Sequence, residues 1–179
     1  MIADPAVIAD PAVIGASARL TIDEIVRLGF THVIAIPDSE SRLLCEAAAA
    51  HERLSYLTPC REGEGIAIAA GLWVGGAKPL LVIQNTGLME AGDALRGCGI
   101  GPRVPLQMLI GWRGYAGASQ GKQPVDSAYP YTEPILDAWQ IPYEHLMSND
   151  DIGVIASMDE RAARTSKPAA VITGWKFRP

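Results

Sequence analysis

The sequence predicts an α/β fold: a single three-layer domain in which a mostly parallel sheet has helices on both faces. Short, apolar, β-branched runs alternate with longer helix-like segments, and most of these runs end at a polar or glycine-containing turn. Buried parallel strands have this character, because helices cover both of their faces. The composition agrees, since 49% of the 179 residues are hydrophobic but only 6% are aromatic. A chain of this length suits one domain with a sizeable core.

The elements follow from hydrophobic periodicity and from turn residues. The predicted strands are 31–36, 54–58, 79–84, 105–111 and 169–173. The predicted helices are 20–28, 43–51, 62–75, 85–96, 132–139 and 150–166. Gly29 is expected to end the first helix, and Ser39 or Ser41 to cap the second. A long loop is expected from Trp112 to Pro130.

The N-terminus differs from the rest of the chain. Residues 2–13 contain Ile-Ala-Asp-Pro-Ala-Val twice, in imperfect frame. The two prolines exclude a regular helix or central strand. We therefore expect residues 1–16 to form a flexible arm and residues 17–179 to form the domain.

Charge and composition exclude several functions. A net charge of -5 without a basic block argues against a nucleic-acid partner. No apolar run is long enough for a membrane span, and no basic region precedes the first apolar residues as in a signal peptide. The three cysteines lack C-x-x-C spacing, which favours a reduced, cytoplasmic setting, and Cys60 is expected to be a buried packing residue. The three histidines are isolated, so no metal site is expected in this chain. The Gly97–Gly101 segment follows a helix, so it is interpreted as a loop and not as a dinucleotide fingerprint.

The most informative segment is Arg-Glu-Gly-Glu-Gly-Ile-Ala-Ile-Ala-Ala-Gly, residues 61–71. Glu62 and Glu64 open a helix that is otherwise small and apolar, which predicts that the helix is buried against other protein. A carboxylate there can simply complement the helix dipole, but burial would also raise its pKa and favour a functional role. From the residues alone, both glutamates remain eligible.

Polar or glycine-containing segments follow several predicted strands. Because ligands of parallel sheets bind beyond the carboxyl ends of the strands, these segments are expected to share one rim. They comprise Pro37, Asp38 and Ser39, then the Glu62 region, then Gln84, Asn85, Thr86 and Gly87, and finally Trp112 and Arg113. Each has a simpler interpretation: Asp38 and Ser39 as helix caps, Gln84–Gly87 as a strand–helix turn, Trp112 as a packing residue and Arg113 in a surface ion pair.

In this order, the four segments resemble the pyrimidine-binding (PYR) domain of thiamine-diphosphate-dependent 2-oxo acid decarboxylases. The matching residues are IPDSE at 36–40, REGEGIAIAAG at 61–71, KPLLVIQNTGL at 78–88 and PLQMLIGWRG at 105–114. The resemblance runs from about Leu20 to Gly174. It is closest to the α subunit of sulfopyruvate decarboxylase and to the matching half of phosphonopyruvate decarboxylase.

The resemblance implies roles for individual residues. In that family a glutamate at the start of this helix hydrogen-bonds the pyrimidine N1′ of the cofactor, and the register against Gly71 and Lys78-Pro79 gives that place to Glu62. Glu64 is then expected to be structural. Gln84, Asn85, Thr86 and Gly87 are expected to bind the cofactor, while Pro37, Asp38, Ser39, Trp112, Arg113 and Lys122 are expected to bind substrate.

The resemblance also implies a partner. The family holds Mg²⁺ and the diphosphate with a Gly-Asp-Gly motif in a second domain, and this chain has no such motif. We therefore expect a separate β subunit that carries the diphosphate and Mg²⁺ site, together with self-association of α subunits. The loop at 115–130 lacks the histidine typical of related decarboxylases, so the identity of the acid stays open.

By resemblance, the expected substrate is sulfopyruvate, decarboxylated to sulfoacetaldehyde. Three alternatives remain at this stage. The chain can act on phosphonopyruvate or another 2-oxo acid, it can belong to an acetolactate-type carboligase, or it can be a non-catalytic regulatory α/β subunit.

Overall fold

Six parallel strands form one sheet at the centre of the molecule, in the order β2-β1-β3-β4-β6-β5. The computed structural model describes residues 14–179. The strands are β1 His32–Ala35, β2 Ser55–Leu57, β3 Pro79–Gln84, β4 Gln107–Gly111, β5 Tyr143–His145 and β6 Ala169–Thr173. Every residue of β3, β4 and β6 is buried, as expected of central strands with both faces covered.

Helices lie on both faces of this sheet. They are α1 Ala18–Arg27, α2 Arg42–Ala50, α3 Glu62–Val74, α4 Asn85–Glu90, α5 Gly92–Ala94, α6 Tyr115–Ala118, α7 Thr132–Ala138 and α8 Val154–Thr165. Single turns of 3-10 helix lie at Tyr129–Tyr131 and Asn149–Asp151, and a π-helix at Leu95–Ile100.

Alternation along the strands divides the core into two layers. In β3, Leu80 and Val82 pack with α1, α2 and α8, while Leu81 and Ile83 pack with α3, α4 and α7. The same alternation holds in β4 and β6. The predicted three-layer α/β fold is therefore confirmed.

The predicted strands all occur: β3 and β6 have the predicted bounds, and the ends of the other three differ by at most two residues. Gly29 has φ +81° directly after Leu28, the C-cap residue of α1, as expected of a glycine that ends a helix. The strand β5 was not predicted, because its three residues lie at a sheet edge and none is fully buried.

Two helix predictions need correction. The helix expected at 85–96 is broken into α4 and α5, and it continues as a π-helix through the Gly97–Gly101 segment that was interpreted as a loop. Packing explains the continuation: Leu95 and Gly99 are buried there, and a Cβ on Gly99 would lie 3.2 Å from Pro168. The helix expected at 150–166 begins later, at Val154, after the separate 3-10 turn.

The predicted arm, residues 1–16, lies mostly outside the described residues. Within the described part of the arm, the Gly15 N–H donates to the carbonyl of Met147, and the Ala16 carbonyl accepts from the Arg178 N–H. No helix in residues 14–179 is long and apolar enough to cross a membrane.

Candidate functional site

The carboxyl ends of β1, β3 and β4 form a continuous rim, because these strands are parallel and adjacent. Contacts between the segments that follow these strands fix the positions of the segments relative to one another. A Cβ on Gly111 would lie 3.1 Å from Cβ of Glu40, which places the segment after β1 against the end of β4. The Asn85 side chain, after β3, donates to the Arg113 carbonyl at 3.3 Å. The prediction that these segments share one rim is confirmed.

Glu62 is the first residue of α3, and its carboxyl group packs against Gly87 in α4. A Cβ on Gly87 would lie 2.6 Å from Cδ of Glu62, so only glycine leaves room for this carboxyl group. Among residues 14–179 the Glu62 carboxylate has no hydrogen-bond or ion-pair partner. Both oxygens of this carboxylate are therefore free to bind a ligand. They lie at the positive end of the helix dipole.

Two further carboxylates surround the same helix start, and both are engaged. Glu64 accepts a hydrogen bond from the Cys60 N–H at 2.7 Å. Glu90 accepts one from the Gly63 N–H at 2.9 Å and pairs with Arg61. Of the carboxylates Glu62, Glu64 and Glu90, only Glu62 is uncommitted. Cys60, predicted to be buried, is exposed, because it lies in the turn before α3 where no other element covers it.

The segment after β3 is held by its own side chains. Asn85 is fully buried and also donates to the Thr132 hydroxyl at 3.1 Å. The Thr86 hydroxyl donates to Gln84 Oε1 at 2.9 Å. These bonds fix the backbone that carries Gly87, and they occupy the side-chain amide of Asn85.

The segment after β1 is an Asp-capped turn. One carboxylate oxygen of Asp38 accepts from the backbone N–H of Ser41 at 2.9 Å, and the other accepts from its hydroxyl at 3.0 Å. The predicted capping residue of α2 was Ser39 or Ser41. Ser41 does occupy the N-cap position, but its hydroxyl makes no capping hydrogen bond. It donates to Asp38 instead, and the Asp38 carboxylate accepts from the backbone N–H groups of Glu40 and Ser41, which precede the helix. Pro37 and Ser39 are exposed at the rim.

The segment after β4 is held by aromatic packing. Trp112 is buried, its indole N–H donates to the Tyr129 carbonyl at 3.0 Å, and its ring lies 5.2 Å from that of Tyr129. Burial raises the pKa of Tyr115, whose ring lies 5.0 Å from that of Trp112. Arg113 pairs with Asp126 at 3.2 Å, with about half of its side chain exposed.

A cavity of about 390 Å³ opens at the rim beside Arg113. It is lined by Ile14, Glu40, Arg113, Gly114, Ala116, Gly117, Val125, Trp175 and Lys176. Lys122 is exposed, hydrogen-bonds Gln120 and is not part of this lining.

Sequence reasoning missed three residues at this rim. Trp175 and Lys176 follow the last predicted strand, so the rule that placed the other exits would also have placed them here. No such signal marks Glu90, because its partners, Arg61 and Gly63, lie at the start of a different helix. In the described part of the chain, no group of three or more His, Cys, Asp or Glu side chains is arranged to hold a metal ion.

Comparison with known proteins identifies relatives of this chain. Sulfopyruvate decarboxylase from Methanosarcina acetivorans is 28% identical over 117 residues, which are 65% of this chain and 30% of that protein. Phosphonopyruvate decarboxylase from Streptomyces viridochromogenes is 33% identical over 96 residues, 54% of this chain and 24% of that protein. The chain thus spans less than a third of the length of these two relatives. No family model matches it.

A shorter relative matches nearly end to end. Sulfopyruvate decarboxylase subunit alpha from Methanothermobacter thermautotrophicus is 27% identical over 146 residues, which are 80% of this chain and 87% of that subunit.

Solved structures share the fold. Benzoylformate decarboxylase from Polynucleobacter necessarius superposes with a TM-score of 0.74 at 16% identity, over 92% of this chain and 32% of that chain. The thiamine diphosphate-dependent 4-hydroxybenzoylformate decarboxylase from Rhodococcus jostii superposes with a TM-score of 0.69 at 18% identity. The resemblance to thiamine-diphosphate-dependent decarboxylases that the motifs predicted is confirmed.

Proposed function

We propose that this chain is the α subunit of a split, thiamine-diphosphate-dependent 2-oxo acid decarboxylase, with sulfopyruvate as its substrate. The relative that it covers over 87% of its length is a subunit alpha of sulfopyruvate decarboxylase. The single observation that carries the proposal is the unpartnered Glu62 carboxylate, fixed against Gly87 at the rim.

The residues at this rim suit the pyrimidine ring of the cofactor. Glu62 presents a free carboxyl group, and Gly87 lacks the side chain that would otherwise displace it. Thiamine diphosphate, when bound, supplies the electron sink for loss of carbon dioxide from the acid. The role of Glu62 is to share a proton with the ring nitrogen N1′, which requires a carboxyl group that no protein donor has already engaged.

The neighbouring residues position the ring and do not react. The Thr86 hydroxyl donates a hydrogen bond to Gln84, and the Asn85 side chain donates to Arg113 and Thr132. These bonds hold the segment in place. In this proposal residues 84–87 contact the cofactor mainly through their fixed backbone. Asn85, which lies in the core, holds that backbone in place.

Arg113 is the proposed partner of an anionic group on the substrate. It lines the cavity at the rim and is half-exposed, and a guanidinium has five N–H donors, so its pairing with Asp126 leaves donors free for a sulfonate or carboxylate. Pro37 and Ser39 lie on the exposed turn after β1, and Asp38 and Trp112 hold the backbone on either side. Lys122 lies outside the cavity lining, so its proposed part is to attract anions from solvent.

A second chain is part of this proposal. The chain lacks a Gly-Asp-Gly motif, so the diphosphate and Mg²⁺ are assigned to a β subunit, and α subunits are expected to associate with one another. The outer face of α3 supports docking: Ala67 and Gly71 are exposed, and Val74 is 74% exposed. Cys45, Cys60 and Cys98 are all free thiols, which fits a cytoplasmic enzyme.

The proposal is tested with Glu62→Gln in the complex with its β subunit. Glutamine keeps the size of the side chain but cannot share a carboxyl proton, so turnover should fall about 10²-fold or more while assembly stays intact. Glu64→Gln is the matched control, because an amide oxygen still accepts from the Cys60 N–H. Normal turnover of Glu62→Gln would refute the proposed role.

The choice of acid and of reaction is tested separately. Assays of the wild-type complex with sulfopyruvate, phosphonopyruvate and pyruvate distinguish the proposed substrate from other 2-oxo acids and from acetolactate-type carboligation. Equilibrium titration with thiamine diphosphate and Mg²⁺ should show saturable binding to the complex and none to this chain alone. Absence of binding in both would favour a non-catalytic regulatory subunit.

A further inference from the structure

Glu90 contacts the residues on both sides of Glu62. Its Oε2 accepts from the Gly63 N–H at 2.9 Å, and its Oε1 pairs with Arg61. We infer that Glu90 is a positioning residue that holds the first turn of α3, and with it the Glu62 carboxyl group, in the orientation the cofactor requires. This inference rests on the proposed function.

The geometry supports a link between two helices. Glu90 is the last residue of α4, whereas Gly63 and Glu62 begin α3, so the bond joins the helix that carries Gly87 to the helix that carries Glu62. The first turn of α3 also touches α5, since a Cβ on Gly63 would lie 3.5 Å from Cβ of Ala94. A shift of the first turn of α3 relative to α4 would move the Glu62 carboxyl group across the face of Gly87.

Glu90 and Glu64 anchor this turn in different ways. Glu64 belongs to α3 itself and closes the turn on the Cys60 N–H, so it stabilises the turn without placing it. Glu90 comes from outside α3 and therefore places the turn relative to the rest of the rim. The N–H groups of a first helical turn have no partner within the helix, so a carboxylate from another helix makes a strong bond there.

The two contacts of Glu90 have unequal weight. Arg61 is 68% exposed, so its ion pair with Glu90 should contribute little. The bond to the Gly63 N–H joins backbone to side chain at the contact between helices and should dominate. We therefore expect the acceptor oxygen of Glu90 to matter more for cofactor binding than its negative charge.

A pair of variants in the αβ complex tests this prediction. Glu90→Ala removes the acceptor and should weaken thiamine diphosphate binding about tenfold and lower kcat, with the KM for the 2-oxo acid unchanged. Glu90→Gln keeps an acceptor oxygen for Gly63 and should behave nearly as wild type. Asp93→Ala is the matched control, because Asp93 lies on the same segment and, within residues 14–179, pairs only with the exposed Arg96. Thermal unfolding of each complex checks that the fold is intact.

Combination with Glu62→Gln separates positioning from general support. Cofactor affinity is the readout, since it can be measured in an inactive complex. If Glu90 acts through Glu62, then Glu90→Ala should add little to the affinity lost in Glu62→Gln. Independent, additive losses, or wild-type affinity in Glu90→Ala, would overturn the inference. A wild-type complex that binds no thiamine diphosphate would instead overturn the proposed function itself.

Discussion

The carboxyl group of Glu62 lies directly on the Cα of Gly87, so that a Cβ there would lie 2.6 Å from Cδ of Glu62. The glycine is needed for this approach and not for its backbone angles, because Gly87 is not among the described residues with positive φ. The contact joins the first turn of α3 to α4, and it explains why a glycine is required within a short helix, where glycine is otherwise unfavourable.

Gly87→Ala is predicted to displace the Glu62 carboxyl group and to abolish most turnover of the αβ complex. The added methyl group would overlap atoms of Glu62, which must then rotate away from its place at the rim. Initial-rate assays and thiamine diphosphate titration measure the effect.

Gly153→Ala is the control for this substitution. Apart from the adjoining residues, no atom in the described part of the chain lies within 4 Å of a Cβ at that position, so the change should leave turnover unaltered and stabilise the fold by about 0.4–1 kcal/mol. If Gly87→Ala retained full activity, the packing of Glu62 on Gly87 would have no role in the site.

The pH dependence of stability should report on Tyr56 in β2. Burial, followed by a hydrogen bond with Cys45, raises the pKa of Tyr56 from 10.0 to about 12. As pH rises from about 10 towards 12, the unfolded chain releases the phenol proton while the folded chain keeps it, so the free energy of unfolding decreases. Tyr56→Phe should make this decrease shallower in urea unfolding at a series of pH values. Tyr131→Phe, at an exposed side chain, should not; equal slopes for both variants would contradict the assignment.

The fold was predictable because its signals are local. Strands such as β3 and β6 are short, mostly apolar and buried along their whole length, and strands alternate with helices along the chain. The shared rim followed in turn, since the carboxyl ends of adjacent parallel strands meet at one edge. The individual contacts across that edge, such as the one between Gly111 and Glu40, could be seen only in the structure.

Other features depend on contacts between segments distant in sequence, and for that reason they escaped prediction. The π-helix at Leu95–Ile100 forms where a glycine-rich segment packs against Pro168. Cys60 is exposed because no element happens to cover the turn before α3. Glu62, Glu64 and Glu90 differ in role because different backbone amides lie within reach of each carboxylate. No pattern of residue types encodes these distances.

The outer face of α3 is only partly covered in this chain. Ile66, Ala69 and Ala70 face the core, whereas Ala67, Gly71 and Val74 on the opposite face are exposed. The sequence predicted a helix buried against protein, and within the described chain that holds for one face. The proposed β subunit would cover the other, so a charge at its centre should prevent assembly.

Ala67→Arg is therefore predicted to weaken binding of the β subunit at least about 100-fold, because an unpaired guanidinium would be buried in an apolar interface. The stability of the isolated chain should change by no more than about 0.5 kcal/mol, since the residue is exposed there. Size-exclusion chromatography of the mixed subunits measures assembly. Ala49→Arg is the matched control, an exposed alanine on α2 that should leave the complex intact. An intact, fully active complex of Ala67→Arg would show that the β subunit docks elsewhere. The small side chains of α3 would then be explained by packing on the inner face of the helix alone.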